Sequence, residues 1–524
     1  MEKETKTAFG TSQPSGASAV EWPERFATGF SAAQKLAQMS FDYWTALARY
    51  QNDFQIPFGK SVAYFQRAES EKILRIHPVQ TLLDYMALLD LNTRIAHHAA
   101  RSSAETLHDY YLSEIKELLP GEKGPDDIIE YISRQADTVK AVAHDYPRAI
   151  QDIAGEYGFH FEREGSVKIA ETERFLLYQI LPDEKSVEVR NNGKPILIVH
   201  PYVLGADILA FLPGEKKSYV HCFANQGIPT YVRILKDIDA HPAVQKITLE
   251  DDILDTKYFC EILYKNHGRL LTLNGYCQGG LITLSALLSG ELDDLVDAHI
   301  TCVAPIDGSR SPGLGQFLRD LPQRFNDLAY GTKILPGGNR IADGDLMSWV
   351  YKLKSIREEY PLVAMYRDLA MFRHLKKKGA GSGKTAAALN YWIFHQRHDL
   401  PMEITRLSFA SYNTPITEDG VLPFKAFGRP LRISRLAEKE IKMLICYGEN
   451  DTLVEKPCAL APLDYIQAEV TPFPKGHVAI ATSWSLPTSE YALHTRFGDK
   501  GYRGPVRFQL DIEKEKDNAV HSEN

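Results

Sequence analysis

A chain of 524 residues is too long for one simple core, so two domains, or one domain with large insertions, are expected. Its 60 basic and 68 acidic residues leave a mildly negative balance that removes the electrostatic case for nucleic-acid binding, and 44% apolar residues is ordinary globular usage. No run of about 18 apolar residues occurs, and the start, MEKETKTAFGTSQPSG, lacks the apolar stretch of a secretion signal, so a cytoplasmic protein without a membrane span is expected.

Residues 1–20, rich in Ser, Thr, Gly and Lys, read as a disordered leader. Residues 21–160 read as an N-terminal helical domain: Leu82, Tyr85, Met86 and Leu89 recur at three- and four-residue spacing, with Pro57, Pro78 and Pro120 as breakers. Within this block Phe41 to Phe65 is unusually aromatic. A helix core is the plain explanation, and a surface for a partner subunit or a hydrophobic granule is the sharper one.

Residues 161–505 change character. Short apolar or alternating runs at Val167–Ala170, Phe175–Leu181, Ile196–Val199, Thr230–Ile234, Leu270–Leu273 and Ile300–Ala304 alternate with helical segments, the pattern of a mostly parallel sheet flanked by crossover helices. Residues 309–407 turn helical again and read as a cap insertion. Strand signals return at Lys442–Tyr447 and Ala468–Val470, and residues 506–524 read as a charged tail.

The most specific chemistry lies in Leu270–Leu284, LLTLNGYCQGGLITL: an apolar strand, a tight Gly275-Tyr276-Cys277-Gln278-Gly279 turn, then a helix start. This is the nucleophile elbow of the α/β-hydrolase fold with Cys in place of Ser, where small residues two positions either side are demanded by the strained turn. A helix starting after Cys277 aims its N-terminal dipole at the sulfur and favours thiolate. A thiol nucleophile needs a base and a group to orient it, supplied in such chains in the order nucleophile, acid, histidine. The strand MLICYG runs into Glu449-Asn450-Asp451, and after one further strand PFPKGHVA presents His477. The triad is therefore assigned to Cys277, Asp451 and His477, with Glu449 as a rival carboxylate. The oxyanion hole is expected to use the backbone N–H of Gln278 and one from His200-Pro201-Tyr202-Val203; Pro201 has none to give, which leaves Tyr202 or Val203.

Other features carry less. Cys222, Cys260, Cys302, Cys446 and Cys458 form no C-x-x-C pair, so neither a zinc knuckle nor a disulfide framework is indicated. No metal is expected, because His97-His98 and the His395/His398 pair lack a third ligand at persuasive spacing. The run Gly379-Ala380-Gly381-Ser382-Gly383-Lys384-Thr385 looks like a phosphate-binding loop, but Lys378 stands where the motif needs its first Gly; a basic cap loop that attracts an anionic substrate is the better reading.

The run Ile196 to Tyr231, ILIVHPYVLGADILAFLPGEKKSYVHCFANQGIPTY, followed by NGYCQGG, resembles polyhydroxyalkanoate (poly-3-hydroxybutyrate) synthases, with the likeness extending to Trp484. The resemblance implies an α/β-hydrolase fold and an acyltransferase that moves 3-hydroxyacyl groups from CoA onto Cys277, with Asp451 and His477, in a GHVA element similar to the family's G-H-I-A, as acid and base. It also implies a growing polyester or granule as partner, a homodimer or accessory subunit, and no cofactor beyond the CoA thioester substrate. Phe394-His395-Gln396-Arg397-His398-Asp399 departs from the family's Trp-Asn-x-Asp element, and Ala304-Pro305-Ile306-Asp307-Gly308-Ser309-Arg310-Ser311-Pro312 is similar to a stretch of intracellular polyhydroxyalkanoate depolymerases. A depolymerase or thioesterase with the same triad is the second expectation. A granule-associated binding protein acting through its N-terminal helices is the third.

Overall fold

The computed structural model describes residues 21–73, 78–118, 125–321, 331–348, 352, 354, 360–377 and 383–522. The leader expected at 1–20 lies outside the described residues. The N-terminal region consists of helices α1 (Glu21–Ile73), α2 (Pro78–Leu118) and α3 (Pro125–Lys140), which continues through a π turn at Ala141–Asp145 into α4 (Tyr146–Asp152). Pro57 is no breaker: α1 runs through it. A mid-helix proline forfeits the i to i−4 hydrogen bond, at a cost of about 3 kcal/mol in an isolated helix. Tertiary burial of Tyr50 and Ala46, about two and three turns upstream, supplies what propensity does not. Pro78 does mark a boundary, at the first position of α2, where its missing N–H costs nothing.

The centre of the molecule is an eight-stranded sheet. Its strands are β1 (Ser166–Glu171), β2 (Phe175–Ile180), β3 (Ile196–Val199), β4 (Thr230–Leu235), β5 (Leu271–Tyr276), β6 (Val296–Cys302), β7 (Lys442–Gly448) and β8 (Glu469–Phe473), in the spatial order β1-β2-β4-β3-β5-β6-β7-β8. Only β2 runs against its neighbours; the pairs from β4 to β8 are all parallel. Covered on both faces, β3 and β5 are buried at every position, as parallel central strands must be, and this is why they read as continuous apolar runs. The helix between β4 and β5, α6 (Leu249–His267; α5 is Tyr219–Ala224), begins in a Thr248/Asp251 capping box and ends at left-handed Gly268. This strand order, with helix α7 (Gln278–Ser289) leaving β5 through a tight elbow, is the α/β-hydrolase fold.

Between β6 and β7 the chain makes a long excursion. It holds α8 (Leu314–Asp320), a small sheet of Thr332–Ile334, Arg340–Ala342 and Leu400–Pro401, then α9 (Pro361–Lys377), α10 (Lys384–His395) and α11 (Met402–Asn413). The N-terminal helices dock on this excursion. The Tyr366 hydroxyl on α9 bonds those of Tyr43 (2.6 Å) and Tyr111 (2.5 Å), and Tyr50 donates to Asp368. The aromatic stretch is thereby divided: Tyr50 is buried and Tyr43 partly so, whereas Phe41 and Trp44 are about two-thirds exposed.

The segment expected as a charged tail at 506–524 is instead helix α12 (Pro505–Ser522). Its first turns bury Val506, Phe508 and Ile512, and Gln509 donates to the Lys194 carbonyl at 3.0 Å, just before β3. Its charged residues divide: Asp511 and Glu513 are buried, whereas Lys514 and Glu515 are exposed. Among the described residues no helix is long and apolar enough to cross a membrane, and no group of three His, Cys, Asp or Glu residues could hold a metal ion.

Candidate active site

Cys277 stands alone between the last residue of β5 and the first of α7, with φ 51° and ψ −123°. A side chain at positive φ costs on the order of 1–3 kcal/mol and persists only where the surroundings enforce it. Here the Cys277 N–H donates to the Cys302 carbonyl of β6 at 2.8 Å and its own carbonyl accepts from Gly280 N–H at 2.8 Å. Two glycines make the close approach. A Cβ on Gly275 would lie 2.4 Å from the Gly279 carbonyl oxygen, and one on Gly279 would lie 2.4 Å from that of Val199 at the end of β3. The elbow therefore presses strand, turn and helix together until backbone touches backbone, and the N-terminus of α7 meets the half-buried sulfur.

Asp451 and His477 arrive from the C-terminal ends of β7 and β8, two and three strands along the sheet. The Asp451 carboxylate accepts from the backbone N–H groups of Leu453 (2.9 Å) and Val454 (3.0 Å) through Oδ1 and bonds His477 Nδ1 at 2.8 Å through Oδ2. Its orientation is fixed by the turn that presents it. Glu449, the rival, is exposed. His477 Nε2 is buried without a hydrogen-bond partner among the described residues. Burial opposes charge on this imidazole, but the Asp451 carboxylate and the Cys277 sulfur outweigh it and hold the pKa well above the ordinary histidine value. The carboxylate and the sulfur thus meet the imidazole, the arrangement in which a histidine serves as base to a thiol nucleophile.

Of the expected oxyanion donors, Gln278 is the first residue of α7, where the helix offers no acceptor to its N–H. Val203 N–H is already committed, donating to the Gln278 side-chain Oε1 at 3.2 Å. Tyr202 N–H has no recorded acceptor among the described residues. The Tyr202 hydroxyl is held by Asp252 and by the fully buried Arg233, whose guanidinium lies over Phe175 at 4.1 Å.

Several supporting side chains escaped sequence reasoning. The Gln278 carboxamide, besides accepting from Val203, donates from Nε2 to Ser408 Oγ on α11 at 2.7 Å, tying the elbow to the loop after β3 and to the excursion. Tyr276 donates to the His477 carbonyl at 2.9 Å. Glu455, four residues beyond Asp451, accepts from Ser311 Oγ (2.6 Å) and Gly313 N–H (2.8 Å), so the Pro305 to Pro312 stretch braces the turn that carries the acid. Tyr276 and Gln278 flank Cys277 within the elbow motif itself, which was the available signal; Glu455 had none.

The remaining cysteines are buried or occupied. Burial pushes the Cys260 and Cys458 thiols up to about 12 and raises those of Cys222 and Cys446, so these stay protonated at neutral pH. Gly379 to Ser382 of the phosphate-loop look-alike lie outside the described residues. Lys384 is spent on Glu156 (2.7 Å) and Glu215 (3.3 Å).

No protein-family model and no curated protein matches this chain. Among solved structures, the chain is similar to a putative lipase from Acinetobacter baumannii AYE at 11% identity and TM-score 0.30, over 71% of this chain and 97% of that one. It is also similar to naproxen esterase from Bacillus subtilis (12% identity, TM-score 0.32, 65% and 93% covered) and to a thermophilic esterase from Thermogutta terrifontis (14% identity, TM-score 0.32, 67% and 98% covered). The fold assignment itself rests on the strand order and the elbow.

Proposed function

We propose that this protein is an acyltransferase working through a Cys277 thioester, similar to polyhydroxyalkanoate synthases, that moves 3-hydroxyacyl groups from CoA to the hydroxyl end of a growing polyester. The observation that carries the reading is the His477 imidazole. One nitrogen is fixed by Asp451 at 2.8 Å, the other is buried, and the Cys277 sulfur lies near enough to favour charge on the ring.

The chemistry follows in balanced steps. His477 takes the Cys277 proton, the thiolate attacks the acyl carbonyl, and the negative oxygen is met by the Gln278 N–H with the Tyr202 N–H as second donor. The C–S bond to CoA then breaks and the proton returns from His477 to the departing CoA sulfur. In the second half His477 deprotonates an acceptor hydroxyl, whose oxygen attacks the thioester carbonyl, and the Cys277 C–S bond breaks with the proton returning to sulfur. Thiol and thioester exchange at little energetic cost, which suits a Cys to a polymer-building reaction.

The test is release of free CoA from 3-hydroxybutyryl-CoA by the full chain and by Cys277→Ala. Release that stops in the variant, with polyester as product, is the expected outcome. Release with free 3-hydroxy acid as product would reassign the protein as a thioesterase, and no release across several hydroxyacyl lengths would reject the reading.

A further inference from the structure

One torsion aims the Tyr202 N–H. The ring of Pro201 locks its φ, and the Pro201–Tyr202 peptide is trans, so its N–H points opposite to its C=O. Rotation about ψ of Pro201 is the one freedom left to that peptide plane. Whatever holds the Pro201 carbonyl therefore sets the direction of the Tyr202 N–H.

The holder is His200. Its Nε2 accepts from the Leu235 N–H at the end of β4 at 3.2 Å, which places the ring proton on Nδ1. Nδ1 lies 3.1 Å from the Pro201 carbonyl oxygen and donates to it. Both ring nitrogens are thus occupied in a side chain only 4% exposed. Burial pushes the His200 pKa down to about 3, with Arg233 and His398 acting in the same direction, so the neutral tautomer persists at neutral pH. The clamp stands on the sheet, because β4 pairs with β3 as far as Val199 and Arg233, the residues just before His200 and Leu235.

The loop held in this way lies against the elbow. A Cβ on Gly279 would come within 2.8 Å of the His200 carbonyl oxygen, and the Val203 N–H reaches Gln278 Oε1 at 3.2 Å. The Tyr202 N–H falls between these two contacts and has no recorded acceptor among the described residues. The Tyr202 ring meets that of His200 edge to face, with centroids 5.2 Å apart, and its hydroxyl is tied to Asp252 and Arg233. Side chain and peptide plane of Tyr202 are each fixed by a separate anchor.

We propose that His200 is a positioning residue: by holding the Pro201 carbonyl it presents the Tyr202 N–H to the oxygen that gathers charge when an acyl group is transferred to Cys277. The inference rests on the acyl-transfer reading above and deepens it by naming what aims the second oxyanion donor. His200 touches no reacting atom and acts through one peptide plane.

Two substitutions divide the imidazole. His200→Asn puts an amide nitrogen where Nδ1 stands, keeping the donor to Pro201 and losing the acceptor for Leu235. His200→Gln reaches Leu235 with its amide oxygen and leaves the Pro201 carbonyl unheld. Two kinds of reaction of the full chain are followed at the Cys277 peptide by mass spectrometry. Acylation by 3-hydroxybutyryl-CoA or by p-nitrophenyl acetate gathers charge on a carbonyl oxygen, whereas in alkylation by iodoacetamide the thiolate displaces iodide and no oxyanion forms. His200→Gln is expected to acylate about a hundredfold more slowly with KM unchanged, and to alkylate at the native rate. His200→Asn is expected to stay within about threefold of native in both reactions. Native acylation by His200→Gln, equal losses in acylation and alkylation, or an asparagine variant as slow as the glutamine one would overturn the inference. Should His200→Gln not fold, a loss of about tenfold or more in acylation by His200→Asn overturns it alone. A native chain acylated by p-nitrophenyl acetate but not by 3-hydroxybutyryl-CoA refutes the substrate reading and leaves His200 judged on the ester. A native chain that alkylates at Cys277 and accepts neither acyl group refutes both.

Discussion

The elbow and the excursion between β6 and β7 are held by different physics. At the elbow, backbone is pressed on backbone: Gly275 and Gly279 leave no room for a Cβ, and Cys277 is forced into positive φ. The excursion and the N-terminal helices meet instead through side-chain hydroxyls, with Tyr366 bonded to Tyr43 and Tyr111 from elements hundreds of residues away. The first kind of contact tolerates no substitution and defines geometry to a fraction of an ångström. The second tolerates loss of a bond, because a partly buried hydroxyl can turn to water.

Four substitutions test that contrast. Asp451→Asn removes the carboxylate that orients His477, and CoA release from 3-hydroxybutyryl-CoA is expected to fall about ten-thousand-fold, as when a triad acid becomes an amide. Gly279→Ala drives a Cβ against the Val199 carbonyl, and urea unfolding is expected to show a loss of about 1–3 kcal/mol with CoA release collapsing as the loop after β3 shifts. Cys277→Gly acts in the opposite direction on stability. It relieves the positive φ, and a gain on the order of 1 kcal/mol in the same assay, with CoA release abolished, is expected. Tyr366→Phe is expected to cost about 1 kcal/mol and leave CoA release at the native level. A Tyr366→Phe enzyme as crippled as Gly279→Ala would dissolve the distinction between the two regions.

The histidine adds a pH signature. Because the folded-state pKa of His477 is raised, the native protein binds a proton that the unfolded chain has released between about pH 6.5 and that raised value. Stability from this group is complete below about pH 6.5 and is lost as pH rises through the folded pKa. Unfolding free energies of the native chain and of His477→Gln are therefore expected to draw together as pH rises across that window. Differences that widen with pH would contradict the raised His477 pKa.

How much of this was legible follows from the range of each interaction. The parallel strands announced themselves because burial on both faces leaves only apolar residues, as in ILIV of β3. The elbow was legible because its steric demands fall within five consecutive residues, Gly275 to Gly279. Asp451 and His477 could be named from chain order, but the choice over Glu449 needed the turn, where exposure separates the two carboxylates. The Gln278 bridge to Ser408 spans 130 residues, and the Tyr276 bond to the His477 carbonyl 201, distances at which no local pattern operates. The C-terminal helix was misread as a tail because charge count hides periodicity: Val506, Phe508 and Ile512 are buried, and Asp511 is buried with them, paired to Arg496 and Arg507.

The central claim is that Cys277 carries the acyl group, and the most direct measurement is intact-protein and peptide mass spectrometry of the chain quenched in acid after mixing with 3-hydroxybutyryl-CoA. The account predicts a mass gain of at least one 3-hydroxybutyryl unit, mapped to the peptide that contains Cys277 and absent from Cys277→Ala. CoA release with Cys277 unmodified at every quench time, or an adduct on any other residue, would contradict it.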